Sequence, residues 1–221
     1  MTANATSVSN VINLKGSTDL VTEFFDYSVN SILYQRAIYP PETFARDSKY
    51  GLAMMTTTDT SLREYINTIM GQLKNWLLDG RVKKLVLVVK GVESNDTLER
   101  WVFDCESTGN SNDNNNDNSS SSSSTSKKKK DTKKSQKEIQ NEIQAVLRQI
   151  TASVTFLPLL NEPCTFDLLI YADKNAEVPI TWEDSDPCYI KNSEDVQLRS
   201  FDTKVHKVGT TITYKIDDDD L

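Results

Sequence analysis

The chain has 221 residues and a formal net charge of −7, from 25 Lys and Arg against 32 Asp and Glu. A nucleic-acid-binding protein needs a basic face that neutralises phosphates, so this charge argues against that class of partner. The cysteines Cys105, Cys164 and Cys188 form no Cys-x-x-Cys pair, which argues against both a disulfide framework and a structural zinc site. No apolar stretch approaches the about 18 residues of a membrane span. We expect residues 1–13 to be a flexible N-terminus. They lack the pattern of a signal peptide, so we expect a protein of the nucleus or cytoplasm.

Two amphipathic helices are predicted before Gly80. The first is capped by Ser17 and ends before Tyr39, and the second begins near Asp59 and ends at Asp79-Gly80. Apolar residues recur at helical spacing in both: Leu20, Val21, Phe24, Phe25, Val29, Ile32 and Leu33, then Leu62, Tyr65, Ile66, Ile69, Leu73, Trp76 and Leu77. Each helix therefore presents one apolar side to a core.

A β-hairpin follows the second helix. Leu85 to Val89 is a continuous apolar run, which is typical of a strand buried on both faces. Glu93 to Asp96 is a turn, and Leu98 to Cys105 alternates as the returning strand.

The segment 106–134 changes composition to Asn, Asp and Ser and then to a lysine run, so we expect it to be disordered. The lysines are interpreted either as a solvated linker or as a nuclear-targeting patch. Ser135 and Glu138 form a capping box that begins a third helix. The apolar side of this helix consists of Ile139, Ile143, Val146, Leu147 and Ile150.

The C-terminal part of the chain is predicted to be β structure. Thr165 to Tyr171 alternates as a strand, and so does the stretch that contains Val196, Leu198 and Ser200. Two further short pieces, Val205 to Val208 and Ile212 to Ile216, precede four aspartates. The element order predicts an α+β fold with three main helices on one face of a mainly antiparallel sheet. The β-rich tail must also find a sheet edge with which to pair.

Candidate catalytic residues are few. His206 is the only histidine and is predicted to lie within a strand, which favours a structural role over a catalytic relay or a transition-metal site. Glu183, Asp184 and Asp186 lack the spacing of a calcium loop and are interpreted as a solvated turn. A hydrolase that uses Glu183 and Asp186 is retained only as a contrasting hypothesis. No glycine-rich phosphate loop is present, so we expect no catalytic residue, no metal and no cofactor.

Some aromatic and polar residues are candidates for a partner surface. Trp182 lies in a polar loop and could cover a bound partner, whereas Trp76 and Trp101 are assigned to the core. Arg148 and Gln149 face outward near the end of the third helix, with Phe156 and Leu157 nearby and possible exposure of both. Ordinary surface exposure explains these residues equally well.

Several stretches taken together resemble the HORMA-domain family of the spindle assembly checkpoint. They are SILYQRAIYPPETF (31–44), LERWVFD (98–104), RQITASVTFLPLL (148–160), FDLLIY (166–171), and LRSF, VHKV and TYKI between residues 198 and 216. The likeness runs in order from about Leu14 to Ile216 and is interrupted only by the Asn/Ser/Lys segment.

The resemblance implies a single non-enzymatic HORMA domain over 14–221, interrupted by the loop at 106–134. It also implies a mobile C-terminal safety belt from about residue 172 to 221. In an open form the belt covers the sheet edge that contains 166–171, and in a closed form it crosses the sheet and traps an extended partner peptide as an added strand. The implied peptide edge and belt residues are Phe166, Leu168, Ile170, Tyr171, Trp182, Leu198, Phe201, His206 and Tyr214. Open and closed copies dimerise through the third helix, with Arg148, Gln149 and Phe156 at the contact.

The resemblance further implies the partners. These are a coiled-coil kinetochore receptor, the activator subunit of the anaphase-promoting complex, members of complexes with a checkpoint kinase-related protein, and an AAA+ remodelling ATPase with its adaptor. The implied localisation is the nucleus and cytoplasm, with the kinetochore, nuclear envelope and spindle during mitosis. The alternative is a HORMA adaptor in translesion DNA synthesis or in the meiotic chromosome axis.

Overall fold

Three helices lie on one face of a six-stranded antiparallel sheet in the computed structural model, which describes residues 12–108, 134–180 and 182–216. The helices are α1 (Leu14–Gln35), α2 (Thr60–Leu78) and α3 (Gln136–Ala152). The strands are β1 (Phe44–Lys49), β2 (Leu52–Thr57), β3 (Val82–Gly91), β4 (Thr97–Ser107), β5 (Cys164–Ala172), β6 (Ser193–Gln197), β7 (Phe201–Asp202) and β8 (His206–Lys215). The predicted α+β class is confirmed.

The large sheet has the strand order β5-β3-β4-β8-β6, and β7 pairs with β8 beside this path. All of these pairs are antiparallel. The two short strands predicted near the C-terminus are one continuous strand, β8. Its register on β4 runs without a break from Glu99 opposite Tyr214 to Ser107 opposite His206. Pairing with Asp104 keeps Gly209 in the strand, although the apolar residues on which the prediction relied are interrupted there.

The start of α1 corrects the sequence prediction. Asn13, not Ser17, caps the helix, and its side chain accepts a hydrogen bond from the Gly16 N–H at 2.9 Å. Ser17 lies buried in the first turn. The apolar periodicity begins only at Leu20, and it therefore gave no sign of the preceding turn.

The β1–β2 hairpin is absent from the sequence prediction. Its strands are largely polar and bury little beyond Phe44, Met54 and Thr57, so they lack a clear alternating pattern. Its position depends on a tertiary contact, because the Thr57 N–H donates to the Asn30 side chain of α1 at 2.8 Å.

The predicted capping box at α3 is confirmed, with both Ser135 and Glu138 in their reciprocal roles. The prediction of disorder over 106–134 is wrong at both ends, because β4 extends to Ser107 and the ammonium group of Lys134 donates to the Asp202 carbonyl at 2.6 Å. The rest of that prediction falls on residues 109–133. Those residues lie outside the described part of the chain, as do residues 1–11 of the predicted N-terminal segment and the aspartates at 217–220.

The β3 strand is buried on both faces, as its apolar run predicts. Leu85, Leu87 and Val89 pack into the core beneath the helices. Val86 and Val88 pack on the opposite face in a second apolar cluster that includes Cys188 from the C-terminal segment. The helices cover one side of the sheet, and the chain after β5 covers part of the other.

A buried ion pair joins the end of α1 to the sheet. The Arg36 guanidinium lies 2.5 Å from the Glu99 carboxylate, and both side chains are almost inaccessible to solvent. The Trp101 indole N–H donates to the same carboxylate at 3.0 Å, and Arg36 also donates to the Pro158 carbonyl at 2.6 Å. Burial raises the pKa of Glu99, and the charge of Arg36 opposes that change.

Removing one partner of this ion pair should be strongly destabilising. Arg36→Met leaves the Glu99 carboxylate buried without its cation, and we expect a loss of about 3–5 kcal/mol in the free energy of unfolding, measured with urea. The control is Asp19→Asn, which breaks the half-exposed pair between Asp19 and Lys74. That change should cost no more than about 1 kcal/mol. Equal losses from the two variants would contradict the prediction.

Candidate peptide-binding edge and belt

A groove runs along β5, the strand at one end of the sheet. In the described structure β5 pairs with β3 on one side and lines a cavity of about 1010 Å3 on the other. The α2 helix contributes Tyr65, Ile69 and Trp76 to this groove. The opposite wall comes from the segment after β5, with Ala176, Val178 and Trp182. An extended chain could therefore reach the unpaired edge of β5.

The groove is acidic as well as apolar. Its charged lining residues are Glu64, Asp167, Asp173, Glu183, Asp184 and Lys174, so carboxylates outnumber cations five to one. Lys90 and Lys83 pair with Asp167 and Asp173 at 2.9 and 3.1 Å. The remaining negative charge favours a peptide that carries basic residues.

We define the belt as residues 173–216. Its first part is attached to α2 through Trp76, whose indole N–H donates to the Glu177 carbonyl at 3.1 Å. The rings of Trp76 and Trp182 meet edge to face at 5.5 Å. Trp182 is half-buried by this contact, and it also lines the groove. Packing on Trp76 thus explains its position and still leaves part of the ring available to a ligand.

The belt then crosses the sheet on the face opposite the helices. Cys188 is buried against Val86, Val88 and Val102. The guanidinium of Arg100 lies 4.7 Å from the ring centre of Tyr189, which is a cation–π contact. These contacts carry the chain from β5 to the far side of the sheet, where β6, β7 and β8 pair.

The second part of the belt is anchored away from the groove. Phe201 is 1% exposed, and its ring lies 4.8 Å from that of Phe24 in α1. Leu198 and His206, which flank Phe201 along the chain, are also buried. Tyr214 of β8 lies opposite Glu99 of β4. The nine predicted peptide and belt residues therefore divide into two groups. Phe166, Leu168, Ile170, Tyr171 and Trp182 lie on β5 or in the groove region, and the other four fix the belt to the core and to β4.

His206 is the first residue of β8 and is fully buried, which corrects the prediction that it lies in mid-strand. Its Nδ1 atom lies 2.7 Å from the Ser17 hydroxyl, which in turn lies 2.5 Å from the Thr203 hydroxyl. Burial lowers the pKa of His206, and the Leu77 carbonyl opposes that change. A neutral, hydrogen-bonded imidazole ties the belt to the first turn of α1.

The residues predicted for dimerisation occupy the end of α3. Arg148 is exposed, and Phe156 is 46% exposed just beyond the helix. Gln149 is half-buried, and its side-chain oxygen accepts the Arg199 N–H at 2.7 Å. The suggested exposure of Leu157 is wrong, because its side chain packs in the core.

The acidic turn has the geometry of an exposed loop. Glu183, Asp184 and Asp186 are exposed, and Asp186 accepts the Cys188 N–H at 2.7 Å. Over the described ranges, His, Cys, Asp and Glu side chains form no group of three or more that could hold a metal ion. None of the described helices is long and apolar enough to cross a membrane. Cys105 is a free thiol whose pKa burial raises to about 12.

Two groove residues of α2 were assigned only to the core by sequence analysis. Tyr65 is 42% exposed at the groove, and its ring lies 5.8 Å from that of Phe166. Trp76 contacts the belt as described above. Tyr65 and Ile69 are four residues apart, and Ile69 and Trp76 are seven apart, so all three lie on one side of the helix. The same pattern is expected for a core side and for a groove wall.

Comparison with known proteins identifies the family. A family model for the HORMA domain matches residues 17–206 of the chain. The chain belongs to the HORMA-domain family. This HORMA chain is 50% identical over 208 residues to the mitotic spindle assembly checkpoint protein MAD2A of Dictyostelium discoideum, with coverage of 94% of this chain and 95% of the relative. The protein of the same name from Homo sapiens is 50% identical over 205 residues, with 93% of each chain covered.

Solved structures agree with the HORMA assignment. A chain in the crystal structure of the mitotic checkpoint complex matches with a TM-score of 0.78 and 44% identity, covering 91% of this chain and 99% of that chain. HTP-2 bound to HTP-3 motif-6 matches with a TM-score of 0.69, 14% identity and 94% coverage of each chain. The second likeness supports the HORMA fold alone.

The buried His206 should make stability depend on pH. Because its folded-state pKa lies below the unfolded value of about 6.5, the neutral ring contributes stability above that pH. This contribution is lost as the pH falls through the unfolded and then the folded pKa. The free energy of unfolding, measured with urea from about pH 7.5 to 5, should therefore fall more for the native chain than for His206→Asn. Parallel pH profiles for the two proteins would contradict a titrating role for this ring.

Proposed function

We propose that this HORMA-domain protein is a spindle assembly checkpoint adaptor that captures an extended peptide of a partner at β5. The observation that carries the proposal is the outer edge of β5, which pairs with no strand of residues 12–108, 134–180 and 182–216 and faces a groove whose other wall is the belt. The relatives at 50% identity are named as spindle assembly checkpoint proteins, which supports the pathway. The role is binding rather than catalysis.

The chemistry of capture is strand addition. The outer N–H and C=O groups of β5 can pair with the backbone of any extended peptide, which gives affinity with little dependence on sequence. Specificity then comes from the groove, where Tyr65 and Trp182 offer aromatic contacts and the carboxylates favour basic residues. A peptide in this position would lie between β5 and the belt, so its release would require the belt to open.

The position of the belt supports the closed form that the resemblance describes. The β6–β8 hairpin pairs with β4, and within the described part of the chain no other strand covers the outer side of β5. In the open form the same hairpin would cover β5. The two forms are two packings of one sequence, and a captured peptide favours the closed packing because only that packing exposes β5.

The partners of the proposed adaptor are proteins. They are a coiled-coil receptor at the kinetochore and the activator subunit of the anaphase-promoting complex, whose inhibition delays anaphase. The other proposed partners are members of complexes with a checkpoint kinase-related protein, and an AAA+ ATPase with its adaptor. The protein acts in the nucleus and cytoplasm, and at the kinetochore, nuclear envelope and spindle during mitosis. The match to a chain of the mitotic checkpoint complex supports this assignment.

Peptide capture should perturb β5 first. We expect a synthetic peptide from the activator subunit, added to the full chain, to shift the amide NMR signals of residues 166–171 and of groove residues 174–180. The physical reason is that new backbone hydrogen bonds form only along that edge. A scrambled peptide of the same composition is the control. Shifts confined to β6 and β8, with β5 unchanged at saturation, would show that the capturing edge has been misassigned.

Self-association should depend on the end of α3 and not on the groove. Arg148→Glu reverses an exposed charge there, and we expect at least a tenfold weaker dimer by analytical ultracentrifugation, with peptide affinity unchanged. Arg46→Glu, at an exposed site on β1, is a matched charge reversal that should leave both properties intact. Loss of peptide binding in Arg148→Glu would show that the two surfaces are not separate.

A further inference from the structure

Three polar side chains of α3 and its N-terminal flank bind the belt through its backbone. The Gln149 side-chain oxygen accepts the Arg199 N–H at 2.7 Å, and the Glu142 carboxylate accepts the Asp202 N–H at 3.1 Å. Lys134 donates to the Asp202 carbonyl at 2.6 Å and lies 2.5 Å from the Glu142 carboxylate. None of these bonds uses a belt side chain.

The distance between the two acceptors on α3 matches the distance between the two N–H donors on the belt. Glu142 and Gln149 are seven residues apart on a helix, which is about two turns and about 10.5 Å. Arg199 and Asp202 are three residues apart, and an extended chain spans about 10 Å over that distance. The pairing is antiparallel, because the later helix residue binds the earlier belt residue.

The bonds act at an edge that would otherwise be open. The β7 strand, Phe201–Asp202, pairs on one side with Val208 and Lys207 of β8. Its other side faces α3, where helix side chains take the place of a neighbouring strand. Between the two bonded amides, Phe201 is buried against Phe24. The buried Phe201 ring is therefore held between two belt N–H groups, each of which donates to a side chain of α3.

We propose that Lys134, Glu142 and Gln149 form a clasp that holds the belt backbone on α3 and sets the rate at which the belt opens. The clasp assigns Gln149 a second role beyond the dimer contact that the resemblance implies. Because the clasp binds backbone, it tolerates changes in the belt side chains but not the loss of its own acceptors. Where it concerns peptide release, the inference rests on the proposed function.

The clasp predicts a local change in amide exchange that needs no ligand. In the full chain carrying Arg148→Glu, which limits self-association, Gln149→Leu should accelerate hydrogen exchange of the Arg199 amide roughly fivefold or more, the scale of one hydrogen bond. Glu142→Leu should do the same at Asp202. Amides of β3 open only by global unfolding, so their exchange should accelerate by no more than that of the Arg199 amide.

Two matched variants make the test specific. Gln140→Leu places the same substitution at an exposed position of α3, about 180° around the helix from Gln149, and should leave the Arg199 amide protected. Gln149→Glu keeps an acceptor and should restore protection. If Gln149→Leu leaves Arg199 exchange unchanged, or if Gln140→Leu accelerates it equally, the clasp is refuted.

The second measurement separates this inference from the proposed function. With a fluorescently labelled activator-subunit peptide, each lost acceptor should speed dissociation roughly fivefold, and Gln149→Glu should rescue it. Faster amide exchange with unchanged dissociation would refute control of belt opening by the clasp. If the native chain binds no peptide, peptide capture is refuted, and the exchange results alone decide whether the clasp exists.

Discussion

The pairing of β8 with β4 is the interaction on which the rest of the structure depends. A strand of ten residues cannot leave its backbone groups unpaired, so it must occupy one of the two edges of the sheet core formed by β3, β4 and β5. By lying beside β4 it buries Val208 and Ile212 and leaves β5 at the other end of the sheet. The choice of edge therefore determines both the packing of the belt and the availability of the groove.

The path of the belt gives the sheet a second covered face. The helices bury one face of β3, and Cys188 with its neighbours covers part of the other. Attachment is distributed along the path: Trp76 holds the first part, Arg100 stacks on Tyr189 in the middle, and α1 and α3 hold the last part. If the belt moves between edges, its attachments at the first part, the middle and the last part must all break. This requirement favours two discrete packings over continuous sliding.

Particular elements show how far the sequence predicted this arrangement. The start of α2 near Asp59 and the capping box of α3 were predicted, because Asp59, Ser135 and Glu138 act locally on the first turn of a helix. The burial of β3 on both faces was predicted from its apolar run. The β1–β2 hairpin was not, since its strands are mostly exposed and are held by the Asn30 contact from a distant helix. Of the residues that line the groove, Leu168, Ile170, Tyr171 and Trp182 were named from the sequence, whereas Tyr65 and Trp76 were assigned only to the core.

The sequence by itself determined the helices, the β character of the C-terminal third and the absence of a familiar catalytic motif. These properties depend on periodicity, capping and residue type within short windows. Tertiary structure alone decided which sheet edge the tail occupies, and so divided the predicted belt residues between a groove and an anchor. It also paired Gln149 with Arg199 and His206 with Ser17. Backbone donors and acceptors are the same at every residue of a strand, so no local pattern can specify which edge will receive them.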